Sequence, residues 1–260
     1  MSSTHQTALE RKTIMFKDNY NTNYGVIKNK LFKDKNDKVN SSVENLKIIF
    51  SEVYNLVDLF GIDERTDSFI LLKSPPWKTN KRDIEKVFDP RKDIGMIHMY
   101  LNDKYGFDNR SKLSDFISIV ATRNYVHPIK IYLDNLKWDG VERVETLFID
   151  YIHALDNWFN RTVTRKTLIG AVAKIYQPGH SHDTTIILSG KQGCGKSLIL
   201  KKLGKDWFND SMENFKGDET CFKMAKSWII ELSEVTAYNN SDIARIKQVL
   251  TSTTDSFRNK

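Results

Sequence analysis

The sequence predicts an α/β chain, in which a mostly helical α+β domain comes first and the opening part of an α/β core follows. Three observations predict it. The apolar run Thr184-Thr185-Ile186-Ile187-Leu188-Ser189 leads into the glycine-rich segment Gly190-Lys191-Gln192-Gly193-Cys194-Gly195-Lys196-Ser197, and helical spacing resumes at once in Leu198 to Leu203. A second apolar run, Ser227-Trp228-Ile229-Ile230, closes on two carboxylates, Glu231 and Glu234, three residues apart. Upstream, residues 41–126 carry apolar side chains mainly at helical spacing.

Residues 1–40 are rich in Asn, Lys and Asp and poor in apolar positions, which predicts a polar, partly ordered arm. In residues 41–126, an α+β amino-terminal domain, Ser41-Ser42 offers a cap for a helix through Val43, Leu46, Ile49 and Phe50. Phe69-Ile70-Leu71-Leu72 reads as a strand that Ser74-Pro75-Pro76 stops. Two amphipathic helices follow, over Ile94 to Tyr105 and Lys112 to Arg123, with Ile97, Tyr100 and Leu101 lining one and Leu113, Phe116, Ile117 and Val120 the other. A boundary is expected near His127-Pro128. Residues 127–180 continue the helical pattern through Ile129 to Leu133, Val144 to Leu155 and Lys166 to Tyr176, and Pro178-Gly179 ends it. Residues 181–260 then begin the core, with a further helix over Ile243 to Leu250 capped from Asn240-Ser241-Asp242.

The glycine-rich segment fits the pattern GxxxxGK[ST] at every fixed position. Four such positions arise by accident in roughly one chain in a hundred of this length, and a flanking strand and helix make accident rarer still. In such a loop, Gly190, Lys191, Gln192, Gly193, Cys194 and Gly195 wrap a polyphosphate with backbone N–H groups. Lys196 reaches the β and γ phosphates, and the Ser197 hydroxyl holds Mg²⁺. ATP with Mg²⁺ is the expected ligand, and the core is expected to be of the P-loop NTPase kind. Glu231 is the expected Mg²⁺-side acid and Glu234 the partner that orients water, although the two roles could be exchanged. The acidic stretch with Asp210, Glu213, Asp218 and Glu219 reads as a surface loop.

Net charge is +7, which suits a polyanionic partner, but the excess is spread along the chain. The two cysteines, Cys194 and Cys221, are too few for a metal cluster and fit a reducing compartment. The amino terminus lacks a signal-peptide core and no apolar run approaches bilayer length, so a soluble cytoplasmic protein with no membrane partner is expected. His127 reads as a turn or core residue and Trp138 as a buried tryptophan at a helix end.

Several ordered segments resemble the virulence-associated E proteins of phages and mobile genetic islands. They are Tyr125 to Arg143, with Trp138-Asp139-Gly140, Ala171 to Gly179, the glycine-rich loop, Trp207 to Ser211, Lys226 to Glu234 and Asp255 to Arg258. The resemblance spans roughly residues 40 to 260. It implies an AAA+-related core like that of superfamily three helicases, acting as a replication ATPase on single-stranded or forked DNA. A homo-oligomeric ring and a neighbouring primase or other replication protein are implied partners. It also implies an arginine near Arg258 that reaches a neighbouring subunit's nucleotide. Family members continue beyond the segment matching Asp255 to Arg258, so the core is expected to be incomplete at the carboxyl end, and a nucleotide-binding or regulatory fragment without turnover is the alternative. A small-molecule kinase would use the same loop, but no cluster of lid arginines follows it.

Overall fold

The computed structural model describes residues 24–77, 88–180, 182, 184–212, 218–232, 244, 246 and 247. They form a mixed α/β chain with small sheets, divided into two compact units, Met1–Ile62 with Phe69–Tyr125 and Asp63–Ser68 with Val126–Lys260.

The first unit begins with α1 (Tyr24–Lys30) and α2 (Val43–Glu52). Ser42 caps α2 by accepting from the Asn45 backbone N–H at 3.3 Å, as its position before the first apolar residue predicts. Strands β1 (Phe60–Asp63) and β2 (Ser68–Leu71) and the two-residue β3 (Tyr125–Val126) make a sheet in the order β2-β1-β3. Helix α3 (Pro90–Tyr105) starts on an Asp89 cap with proline in its first turn and ends at Gly106, whose φ of 73° a residue with a side chain adopts only at a cost. Helix α4 (Arg110–Ala121) starts on Asn109, which accepts from Lys112 N–H at 2.9 Å. The apolar stripes meet in one core of Leu46, Ile49, Phe60, Ile97, Leu101, Leu113 and Ile117, all fully or almost fully buried.

Residues 24–40 depart from the expected polar arm. Ile27, Leu31 and Val39 are buried in that core, and Lys33 and Val39 pair across a short antiparallel bridge. The fastening is a single buried amide. Asn45 Oδ1 accepts from Phe32 N–H at 2.8 Å, while its Nδ2 donates to the carbonyls of Phe32 at 2.8 Å and Asn40 at 2.7 Å. Asn45→Ala would leave the Phe32 N–H and the Asn40 carbonyl without this partner, while Phe32 O keeps the Asn40 N–H at 2.9 Å. The substitution is expected to cost about 2–4 kcal/mol and to raise amide hydrogen exchange across Tyr24–Asn40 before the rest of the unit opens. Uniform exchange throughout the unit would contradict this.

The second unit carries α5 (Pro128–Asp134), α6 (Leu147–Ile152) and α7 (Trp158–Tyr176), then α8 (Lys196–Gly204) and a 3₁₀ turn at Lys205–Trp207. Strand β4 (Phe208–Asn209), α9 (Asp218–Lys226) and β5 (Ile229–Ile230) complete it. β4 and β5 run parallel, with Phe208 opposite Ile229 and Asn209 opposite Ile230, and α9 is the crossover that a parallel pair requires. An aromatic group ties α5 to this pair. The Tyr132 ring lies 5.6 Å from Trp207 and 6.4 Å from Trp228, and Trp228 Nε1 donates to Ala171 O of α7 at 2.9 Å.

His127 is the cap of α5, its Nδ1 accepting from Lys130 N–H at 3.3 Å. Burial and then the nearby Arg65 charge hold the imidazole below its ordinary pKa. A depressed histidine binds fewer protons folded than unfolded, so stability is full above the unfolded value of about 6.5 and falls as pH drops toward the folded value. The expected result is a loss of unit stability below about pH 6.5 that His127→Asn largely removes, measured by denaturant melts across pH. An identical pH profile in that variant would count against the cap.

Four expectations in this unit are corrected. Thr184 to Ser189 forms no strand, and Ile187 is 77% exposed. A strand exists only through a neighbour's backbone, and among the described residues the β4–β5 pair does not take up this run. Trp138 is 76% exposed rather than buried, its Nε1 donating to Val141 O at 3.3 Å within its own loop. Asp218 and Glu219 open α9 instead of lying in a loop, with Glu219 paired to Lys223 at 3.0 Å. The helix expected over Val144 to Leu155 is shorter, at Leu147–Ile152. Of the helix expected over Ile243 to Leu250, only Ala244, Ile246 and Lys247 lie among the described residues, and all three are helical. Among the described residues no helix is long and apolar enough to cross a membrane.

Candidate nucleotide site

The glycine-rich segment is a tight loop that runs into α8, with Gly195 at the N-cap position. Gly193 and Gly195 have φ of 82° and 92°, left-handed values that explain glycine at these two positions. Gly195 provides no side chain to cap α8, so the first N–H groups of this nine-residue helix point out from an uncapped end. Behind the loop stands the end of α6. A Cβ on Gly195 would lie 3.7 Å from Ile152 Cγ2 and 4.0 Å from Tyr151 O, so α6 seats the turn closely.

Lys196 folds its ammonium back onto the loop, donating to Gly190 O at 2.9 Å and Lys191 O at 2.8 Å, with Cys194 Sγ 3.6 Å away. Gly190, Lys191 and Gln192 form the exposed outer arc of the turn. Cys194 and Cys221 are both free thiols. Among the described residues no cluster of His, Cys, Asp and Glu suits a metal held by protein side chains alone.

Ser197, in the first turn of α8, donates through Oγ to Glu231 Oε1 at 2.5 Å. Two residues 34 apart are thus joined by the parallel arrangement. Glu231 follows the end of β5, and its backbone N–H donates to Asn209 O at 2.8 Å, which extends the β4–β5 ladder by one rung and aims its side chain at the start of α8. The other carboxylate oxygen, Glu231 Oε2, is buried and has no hydrogen-bond partner among the described residues. An orphaned carboxylate oxygen costs free energy unless a cation or donor reaches it, and here it adjoins a hydroxyl suited to the same ion.

Of the residues expected to form the site, the structure brings together Gly190 to Ser197 and Glu231. Glu234 and Arg258 lie outside the described residues. Sequence reading missed Gly204, at the far end of α8, where an added Cβ would stand 2.9 Å from Phe208 Cβ and 3.2 Å from Ile229 Cβ. A glycine closing a short helix just before a strand was its available signal. It also missed Gly170 on α7, whose missing side chain leaves room for the His182 ring ahead of the loop. No sequence signal pointed to that pairing.

No curated protein matches the chain. Residues 133–260 match the family described as the virulence-associated protein E-like domain. The match is narrower than the resemblance over residues 40 to 260, because it leaves out the first unit and the start of α5. It takes in the glycine-rich loop, α8, β4, α9 and β5 together, and this half of the chain therefore belongs to the virulence-associated protein E-like family.

Proposed function

We propose that the protein binds ATP with Mg²⁺ at Gly190 to Ser197 and hydrolyses it, as a helicase-type replication ATPase of a phage or other mobile genetic element. The observation that carries this reading is the Ser197–Glu231 hydrogen bond with Glu231 Oε2 buried beside it and without a hydrogen-bond partner among the described residues. A hydroxyl at the start of a loop-borne helix and a carboxylate at the end of a parallel strand are the oxygen donors that Mg²⁺ takes when it also keeps waters and phosphate oxygens. The residues present therefore fit the ion. Bound Mg²⁺ would neutralise charge on the β and γ phosphates.

This chain's own groups do the rest. The N–H groups of the loop and of the α8 terminus bind phosphate oxygens. Lys196 leaves the carbonyls of Gly190 and Lys191 and transfers its ammonium to the β and γ phosphates. Ser197 Oγ and the Glu231 carboxylate are the groups that would hold the ion. Glu234 then orients the attacking water, or trades that role with Glu231. The fold proposed with this reading is a P-loop NTPase core of the AAA+ kind, and the proposed partners are single-stranded or forked DNA, further copies in a ring, and a primase or other replication protein. The exposed Trp138 offers a face on which a base could stack.

A second reading, binding without turnover, is favoured by the run Thr184 to Ser189, which pairs with no strand among the described residues, since a loop led by an unpaired segment is less firmly placed. The discriminating experiment is ATP titration by calorimetry together with phosphate release, each with and without single-stranded DNA. DNA-stimulated turnover supports the first reading. Tight binding with no turnover under any DNA supports the second, and no ATP binding at all overturns both.

A further inference from the structure

We propose that Arg65, which lies outside the family-matched segment, is a positioning residue that sets the Mg²⁺ carboxylate Glu231 by clamping the end of α9; the inference rests on the nucleotide reading of the site. The turn Asp63–Ser68 is counted with the second unit. In it, Asp63 accepts from Arg65 N–H at 3.0 Å, from Arg65 Nε at 3.0 Å and from Arg65 Nη2 at 2.6 Å. The guanidinium's remaining side is also used. Arg65 Nη1 donates to Lys226 O, the last carbonyl of α9, at 3.0 Å.

The side chains of Arg65 and Asp63 are only 12% and 7% exposed. A solvated surface pair holds little of either partner, whereas this fork is enclosed and has three acceptor contacts. A fixed positive charge at the end of α9 meets the negative end of the helix dipole and an otherwise unfilled terminal carbonyl. The turn is fastened on its other side too, because Glu64 N–H donates to Val126 O at 3.0 Å and Lys130 pairs with Glu64 at 3.5 Å.

From Lys226 to Glu231 the chain is a short run held at Ser227, Trp228 and Glu231. Ser227 Oγ donates to Lys223 O at 2.7 Å, Trp228 N–H donates to Trp207 O at 2.7 Å, and Glu231 N–H donates to Asn209 O at 2.8 Å. A shift at the end of α9 therefore has little slack to absorb it before the carboxylate. Loosening that end displaces Glu231 relative to Ser197 and leaves the loop's own N–H groups where they are.

The test uses the full chain, with ATP titrated calorimetrically across Mg²⁺ concentrations and in EDTA. Arg65→Ala is expected to raise the Mg²⁺ needed for half-maximal ATP binding by about tenfold, as loss of an outer-shell support does. Affinity for ATP in EDTA should stay within about twofold. In a Glu231→Gln background the same substitution should produce no further shift. Should Arg65→Ala fail to fold, Arg65→Lys keeps the charge and loses the fork, and a smaller shift of the same sign is expected. An unchanged Mg²⁺ requirement in the folded variant, or a shift that persists undiminished beside Glu231→Gln, overturns this inference alone. Absence of ATP binding by the unsubstituted chain overturns the reading of the site and the inference with it.

Discussion

Lys196→Ala is expected to weaken ATP binding by about 100-fold while leaving the melting temperature of the apo protein close to that of the unsubstituted chain. The ammonium of Lys196 has no buried anion to balance; it rests on the carbonyls of Gly190 and Lys191, which water can serve once the side chain is gone. Its large contribution comes only when phosphate oxygens arrive, as a charge-assisted contact of about 1.5–3 kcal/mol, or roughly one to two decades in affinity per such contact. Glu231→Gln provides the contrasting variant. It keeps the loop and Lys196, so ATP binding in EDTA should survive, but the Mg²⁺ benefit and any turnover should fall steeply because a neutral amide is a poor ligand for a hard cation. Calorimetry in EDTA and in Mg²⁺ separates the two. Equal ATP affinity for Lys196→Ala and the unsubstituted chain would remove the loop from the binding site.

Gly204→Ala is expected to destabilise the second unit by about 1–3 kcal/mol and to lower Tm by about 5 °C. The backbone there is ordinary, with φ −74° and ψ −20°, so alanine meets no conformational penalty. At an unencumbered helix position the change would stabilise by up to about 1 kcal/mol through helix propensity. The sign of the measured effect therefore isolates packing. An added methyl would stand 2.9 Å from Phe208 Cβ and 3.2 Å from Ile229 Cβ, and neither of those atoms can rotate away. Relief requires α8 to lift from β4 and β5, which stretches the Ser197–Glu231 contact at the other end of the helix. A raised Mg²⁺ requirement should accompany the lost stability. A more stable Gly204→Ala variant would show that α8 does not lie as closely on the strands as described.

The two glycines at opposite ends of α8 act differently. Gly195 frees the loop conformation through its φ of 92°, whereas Gly204 frees an approach distance. Both are written as the same letter in the sequence, and only the first sits in a motif that announces its purpose.

The cap at Ser42 and the apolar spacing of α2, α3, α4 and α7 were legible because they are local: a side-chain oxygen and one face of a helix need only near neighbours in sequence. The acid after Ile229-Ile230 was legible for the same reason, as an apolar run ending in charge. Residues 24–40 were misjudged because their few apolar side chains look insufficient until Asn45 is seen holding that segment on α2. Thr184 to Ser189 was misjudged in the opposite sense, since apolar composition cannot show whether a neighbouring strand is there to pair.

By itself, the sequence determined that a glycine-rich loop fitting GxxxxGK[ST] precedes a helix and that a carboxylate ends a later apolar run, because motif spacing and periodicity are properties of a short stretch of chain. Only the tertiary structure decided which carboxylate meets Ser197, that one oxygen of Glu231 is buried without a partner among the described residues, and that Arg65 closes on the end of α9. Those contacts join residues 34 and 161 positions apart, where the parallel β4–β5 register and the crossover of α9 set the distance and no local pattern records it.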